Sequence, residues 1–198
     1  MGVKNFTVPR SSFLSMDKDL NTILDAILKN NVIKKLLFYT NDAPLQQPNL
    51  NEKESLSLIN KNIKIVPKLN IDSDELNYII ITFDNFTPNA TNTEFRDNMI
   101  YFDVICHYDQ WTIGDLQLRP YRIAAEIDSM FNEKRLSGIG LLHFIGCNQL
   151  VINENFAGVT LMFEAIHGED DKKNALTPEG QERLEENHKE LEDLINLN

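Results

Sequence analysis

Cysteine is scarce in this sequence of 198 residues, and long apolar runs and an excess of positive charge are absent. Its two cysteines, Cys106 and Cys147, cannot build a disulfide framework or a four-cysteine zinc site. No run of 18 apolar residues occurs, which predicts no membrane span. The stretch from Met1 to Phe6 lacks the apolar core of a signal peptide. A net charge of −11 disfavours broad binding to nucleic-acid phosphates, because such binding needs a basic face.

The motifs of several common enzyme classes are also missing. The sequence has no glycine-rich phosphate loop and no Gly-x-Ser-x-Gly elbow. His143 and Cys147 are four residues apart, and a regular strand would place them on one face about 13 Å apart, too far for one metal ion. Cys106 and a histidine could form a nucleophile pair, but no third orienting group is evident. We therefore predict no cofactor and no metal site.

Both cysteines lie in apolar stretches of the sequence. Free cysteine is among the most buried residue types, so we expect Cys106 and Cys147 to be buried free thiols. Unpaired thiols are typical of a reducing compartment.

Negative charge is concentrated in the second half of the chain. Residues 1–100 contain 11 Lys plus Arg and 12 Asp plus Glu, whereas residues 101–198 contain 8 and 18. Residues 169–198 alone hold 4 basic and 10 acidic side chains. A surface of this kind aids solubility, and it also repels polyanions. Both interpretations stay open from the sequence.

Hydrophobic periodicity predicts helices and strands that do not alternate strictly. Helices are expected at 16–30, with Asn30-Asn31 as a candidate interruption, and at 119–132, with an apolar stripe of Ile123, Ala124, Ile127, Met130 and Phe131. Strands are expected at 76–86, 99–108, 141–152 and 158–167, and the second of them has Ile100, Phe102, Val104 and Cys106 on one face. The last two strands flank the turn Asn153-Glu154-Asn155 and should form an antiparallel hairpin. This order favours the α+β class: an antiparallel β-sheet with helices packed on one face, plus a C-terminal helix.

Two regions are expected along the chain. Residues 1–168 should form the α+β domain, with residues 1–15 as an extended arm. Residues 169–198 should form an acidic linker and a final helix, which Thr177 can cap with Pro178 at its first position.

Four residues are candidates for a subunit or partner interface: Trp111, Arg119, Tyr121 and Arg122. Tryptophan is enriched at interface anchors, although a local core position is an equal alternative for Trp111. Arginine at a helix start opposes the helix dipole, so we expect an acidic partner for one of the two arginines. Asp103 and Glu164 are acidic residues within strands. They could be catalytic or could simply face solvent.

The stretch from Ile100 to His167 resembles the tail-terminator and tail-completion (head–tail joining) proteins of tailed bacteriophages. The likeness is carried by the following segments: the strand Ile-Tyr-Phe-Asp-Val-Ile-Cys-His at 100–107, a loop with Asp115, the helix start Arg-Pro-Tyr-Arg-Ile-Ala at 119–124, Gly-Ile-Gly at 138–140, and the strand 159–166. The predicted helix at 16–30 fits the same layout. The loop at 41–55 and the acidic helix at 177–197 depart from the smaller members.

The resemblance implies a virion structural protein, assembled in the host cytoplasm, and not an enzyme. Such proteins form a homo-oligomeric ring, usually of six copies, that caps the tail tube and joins it to the neck or connector protein. DNA passes through the ring without specific binding, and no membrane is involved. Part of the excess acid of residues 101–198 would then line the lumen. The residues alone leave two other classes open: a small cytosolic enzyme using Cys106 or Glu164, and an adaptor acting through its acidic C-terminal helix.

Overall fold

The computed structural model describes residues 16–65, 76–90, 95–114, 116–136 and 138–167. Four helices lie in these ranges: α1 (Met16–Lys29), α2 (Asn31–Phe38), α3 (Glu52–Ser57) and α4 (Arg119–Phe131). Eight strands accompany them: β1 (Ile63–Lys64), β2 (Tyr78–Pro88), β3 (Arg96–His107), β4 (Thr112–Ile113), β5 (Gln117–Leu118), β6 (Lys134–Leu136), β7 (Gly140–Val151) and β8 (Phe156–His167). The expected arm at 1–15, the acidic linker and the C-terminal helix lie outside the described residues.

Asparagine side chains set the boundaries of the N-terminal helices. Asn30 separates α1 from α2, and its side chain accepts hydrogen bonds from the backbone N–H groups of Val32 and Ile33. Asn51 begins α3 with a capping box. Its side chain accepts a hydrogen bond from the Glu54 backbone N–H, and the Glu54 carboxylate accepts one from the Asn51 backbone N–H. The interruption suspected at Asn30-Asn31 is therefore confirmed, and it is a cap between two separate helices.

The main sheet has six strands in the order β1-β2-β3-β8-β7-β6. All neighbours are antiparallel except β1 and β2, which are parallel. The predicted α+β class is confirmed, as is the hairpin between β7 and β8. Strands β1 and β6 were not predicted, because two or three residues are too few to show a period of two. β4 and β5 form a separate two-stranded ribbon.

One face of the sheet and the helices share a single hydrophobic core. The predicted inward row on β3, Ile100, Phe102, Val104 and Cys106, is fully buried in this core. From the other side, α4 contributes its apolar stripe of Ile123, Ala124, Ile127 and Phe131. Phe102 stacks on Phe131 at a centroid distance of 5.2 Å. The hydrophobic periodicity of β3 and α4 therefore predicted their buried faces correctly.

Glycine lets the chain turn from β6 into β7. Gly138 and Gly140 both have φ of +86°, in the region that favours glycine. A Cβ at Gly138 would also collide with the Asp19 carboxylate. Replacing Gly138 would therefore strain the backbone and displace α1.

Two expectations about the cysteines and histidines are wrong in part. Cys106 is buried, but Cys147 is exposed, because the helices do not cover this part of β7. A β-bulge between Phe144 and Gly146 shifts the register with β8, so that His143 lies opposite Glu164 and Cys147 lies opposite Leu161. Glu164 and Leu161 are on different faces, so His143 and Cys147 do not share a face. A bulge has no clear sequence signal here.

None of the helices in the described part of the chain has the length and apolarity that a bilayer crossing requires.

Candidate functional site

The second face of the sheet carries the feature with the most functional content. Antiparallel register places carboxylates and half-buried side chains together on the side opposite the helices. We call this set the carboxylate face: Asp84, Asp97, Met99, Tyr101, Asp103, Thr160, Met162 and Glu164. Among the described strands, the four central ones, β2, β3, β7 and β8, place no lysine or arginine on this face, because their one arginine, Arg96, lies on the side of the core row. The edge strands add two cations to the face, Lys64 on β1 and Arg135 on β6.

The acidic residues of the carboxylate face are fixed by local hydrogen bonds. Asp103 accepts a 2.6 Å bond from the Thr160 hydroxyl across the β3–β8 pair. Asp97 accepts a 2.7 Å bond from the Asn89 side-chain amide. Glu164 is exposed. Glu164 is four positions after Thr160 on β8, which places the Asp103 and Glu164 carboxylates about 13 Å apart along the strand direction. That spacing does not bring them together as an acid–base pair.

His143 borders the carboxylate face on β7. Its Nδ1 lies 2.5 Å from Oε1 of Glu133. The hydrogen bond to Glu133 raises the pKa of His143, and the negative charges of Glu133 and Glu164 raise it further. With Asp97 and Met99, His143 and Glu164 line a shallow depression. Across the described residues, no group of three or more His, Cys, Asp or Glu is placed to hold a metal ion.

Arg119 is the predicted site residue whose position differs most from expectation. Its side chain is fully buried, so it does not lie on the surface with the other interface candidates. The guanidinium donates to four backbone carbonyls: Gln110 (2.7 Å), Leu36 (2.6 Å), Tyr39 (2.8 Å) and Asn41 (2.9 Å).

The carbonyls that hold Arg119 explain why an arginine is tolerated at the start of α4. Leu36 and Tyr39 are at the C-terminus of α2, where the helix dipole is negative. The cation therefore stabilises the end of one helix while it opposes the start of another. Burial lowers the pKa of Arg119, and the nearby Cys106 and Asp42 partly offset this effect.

Amide side chains extend the buried polar network around Arg119. The Asn77 amide donates a 2.8 Å bond to the side-chain oxygen of Gln110, whose backbone carbonyl binds Arg119. Asn62 donates to the carbonyls of Leu37 and Asn77. The network therefore ties α2, the start of β2 and the segment before α4 together, which is a structural role.

The other three interface candidates lie at or near the surface of the same end of α4. Trp111 is partly buried and packs against the core, whereas Tyr121 is 42% exposed. Arg122 has the acidic partner that we expected for one arginine, because it pairs with Glu126 at 2.9 Å on the same helix. The sequence analysis missed two strongly exposed apolar residues close to them in the chain, Tyr108 and Leu116. Their signal was an apolar side chain in an otherwise polar loop.

Cys106 lies on the opposite side of the sheet from the carboxylate face. Burial raises the pKa of its thiol to about 12, although the nearby Arg119 lowers it somewhat. The thiol is therefore protonated near neutral pH, and a thiol is a poor nucleophile compared with a thiolate. His107 points to the other face of β3, where its ring contacts Phe156. These two residues do not form a nucleophile pair.

The profile of the YomW family matches residues 30–165, which is more than half of the chain. The chain therefore belongs to the YomW family, which is phage-derived. A search of the curated proteins found no match. The family agrees with the phage origin that the sequence resemblance implied. The narrower likeness to tail terminators rests on that resemblance alone.

Proposed function

We propose that this YomW-family protein is a virion structural protein that forms a homo-oligomeric ring at the head–tail junction. The ring, expected to have six copies, would cap the tail tube, contact the neck protein and let DNA pass. Its action would depend on shape and self-association, without catalysis. The phage origin of the family and the sequence resemblance support this proposal.

The observation that carries the proposal is the carboxylate face. Proteins gain affinity for DNA by neutralising phosphates and releasing counterions, so a surface on which four carboxylates outnumber two cations, Lys64 and Arg135, reduces that gain. The helices occupy the other side of the sheet. A second buried cluster of Tyr78, Ile80, Ile105 and Phe156 covers one end of this face, and the exposed carboxylates Asp84 and Glu164 at the other end can border a channel. We assign the carboxylate face to the lumen, where DNA must slide without being held.

The alternative hypothesis, a small enzyme that uses Cys106 or Glu164, has little support from the described residues. Cys106 is a protonated, buried thiol, and Asp103 and Glu164 are too far apart to work as a pair. Turnover of a substrate that disappeared with one polar side chain would contradict the proposal. An adaptor function would appear as a monomer that binds a basic partner through residues 177–197.

The assembly state tests the proposal directly. Native mass spectrometry of the purified protein, with and without isolated tail tubes, should give a ring in at least the second condition. Electron microscopy of antibody-labelled virions should place the protein at the head-proximal end of the tail. Absence from the virion, or a monomer that binds no tube, would contradict the proposed function.

Charge reversal tests the lumen assignment. The variant Glu164→Lys places a positive charge on the carboxylate face of every copy, away from the sheet edges. The control Asp25→Lys makes the same type of charge change at an exposed position on α1. Assembled rings of the first variant should bind duplex DNA on the order of tenfold more tightly than the control in low salt, measured by fluorescence anisotropy. Equal binding by both variants would remove the carboxylate face from the lumen.

A further inference from the structure

One edge of the main sheet is open over most of its length. β6 pairs only with residues 140–142 of β7, so residues 143–151 have no strand partner on that side within the described part of the chain. Asn132 covers one backbone group there, through a 3.3 Å bond from the Phe144 N–H to its side-chain oxygen. The other outward backbone groups of this segment can accept a further strand. We call residues 143–151 the β7 edge.

The β7 edge lacks the features by which proteins normally protect an edge strand. It contains no Lys, Arg, Asp, Glu or Pro. Ile145 is 47% exposed and Val151 is 76% exposed. An uncharged, partly apolar edge of nine residues is a template for pairing with another chain. Its single bulge increases the local twist but leaves residues 146–151 in regular register with β8.

The opposite edge of the sheet offers a strand of matching direction. β1 pairs only with Ile79 and Ile80, so no described strand pairs with β2 at Ile81–Asp84, the stretch that lies level with residues 147–143 of β7. Three antiparallel steps lead from β2 through β3 and β8 to β7, so β7 runs opposite to β2. In a copy rotated about an axis along the strands, β2 would therefore meet β7 in antiparallel orientation. A heterologous contact of this kind builds a ring when the rotation between copies returns to the first copy, and a filament when it does not.

Charges at the same height on the two edges are complementary. Lys134 on β6 pairs with Leu142, which pairs with Ala165. Ala165 pairs with Asn98, which lies level with the irregular part of β2 that begins at Asp84. The edge formed by β6 and β7 is therefore basic at this height, and the β2 edge is acidic.

A second basic residue strengthens the match. Arg135 follows Lys134 on β6, and both are exposed. Asp84 is exposed on β2, and Asp97 on β3 lies beside it. A neighbouring copy at equal height would bring these charges of opposite sign together.

From these observations we infer that the β7 edge binds the open β2 edge of a second copy and so continues the sheet from one subunit to the next. This inference rests on the proposed ring and names the surface that builds it. The carboxylate faces of successive copies would then join into one continuous acidic wall.

Lysine substitution on the edge is the first test. Ile145→Lys and Cys147→Lys, made separately, each place a charge on the part of the β7 edge that lies level with the open part of β2. Leu56→Lys, at a residue 54% exposed on α3, is the matched control. In native mass spectrometry with tail tubes, the ring should be lost in both edge variants and kept in the control. Unchanged circular dichroism would show that the variants fold.

Photocrosslinking identifies the partner strand without depending on a loss of assembly. A benzophenone amino acid at position 145 of the assembled protein should form a bond to residues 81–88 of another copy, identified by mass spectrometry of the digest. A crosslink to β7 of another copy, or to a different protein, would overturn the inference.

The outcomes separate this inference from the proposed function. Rings that persist in both edge variants would overturn the edge assignment and leave the ring intact. A wild-type chain that forms no ring on or off the tube would overturn both.

Discussion

Replacement of Arg119 should be one of the most destabilising single changes in this protein. Arg119→Met removes the guanidinium and keeps an unbranched apolar side chain of similar reach. Of the four carbonyls that lose this donor, those of Gln110 and Leu36 accept buried hydrogen bonds, and Leu36 keeps only a longer one of 3.4 Å from the Asn77 amide. The carbonyls of Tyr39 and Asn41 are only partly buried and can bind water instead.

The expected cost follows from the two buried carbonyls. A hydrogen bond to a charged group contributes about 1.5–3 kcal/mol, so two of them account for roughly 3–6 kcal/mol. Removing a buried cation also relieves its desolvation, which offsets part of that loss. We expect the free energy of unfolding to fall by about 3–5 kcal/mol, a large share of the roughly 5–15 kcal/mol of a typical domain.

Urea unfolding followed by circular dichroism measures this change. The midpoint should fall while the slope with denaturant stays the same. Arg119→Lys should lie between the wild type and Arg119→Met, because a single ammonium cannot reach carbonyls on separate segments as the planar guanidinium does. The lysine variant also keeps the test usable if Arg119→Met does not fold.

Arg122→Met is the matched control on the same helix. Its ion pair with Glu126 is partly exposed, so the loss should be about 0.5 kcal/mol or less. A loss of under about 1 kcal/mol for Arg119→Met would refute the role assigned to the buried network, because such a value is typical of surface substitutions.

Three further predictions concern the cysteines, His143 and Gly158. A thiol reagent should modify one cysteine, Cys147, in the native protein and both in denaturant; rapid native labelling of Cys106 would contradict its burial. The imidazole of His143 should titrate above its ordinary pKa of 6.5 by NMR and return toward it in Glu133→Gln. Because this pKa is raised by folding, its stabilising effect should be present below pH 6.5 and lost as the pH rises through the folded value; an unshifted titration would exclude the hydrogen bond. Gly158→Ala should lower the unfolding free energy by about 3 kcal/mol, because a Cβ there would collide with a β3 carbonyl. Gly146→Ala is the control and should cost far less, because its Cβ would meet only the flexible end of a methionine side chain at 3.4 Å.

Local patterns were sufficient for most of the core. The alternation of Ile100, Phe102 and Val104 identified the buried row of β3, and the stripe from Ile123 to Phe131 identified the buried face of α4. These predictions succeed because a strand or helix buries whichever face its own period makes apolar. Both the α+β class and the β7–β8 hairpin follow from the order of such segments.

The burial of Arg119 could not be predicted from the local sequence pattern. Its sequence neighbours indicate a solvated helix start, but the carbonyls that bind it come mainly from residues 36–41, about 80 positions earlier in the chain. Cys147 was assigned to the core for a similar reason, since its apolar neighbours do not reveal that the helix layer ends before it.

The sequence by itself determined which side chains are apolar at each period, and therefore the elements, their buried faces and the overall acidity. Only the tertiary structure decided which carboxylates share a face, which sheet edges stay open and which cation is buried. Those properties depend on strand order and register, and strand order and register arise from contacts between segments far apart in the chain.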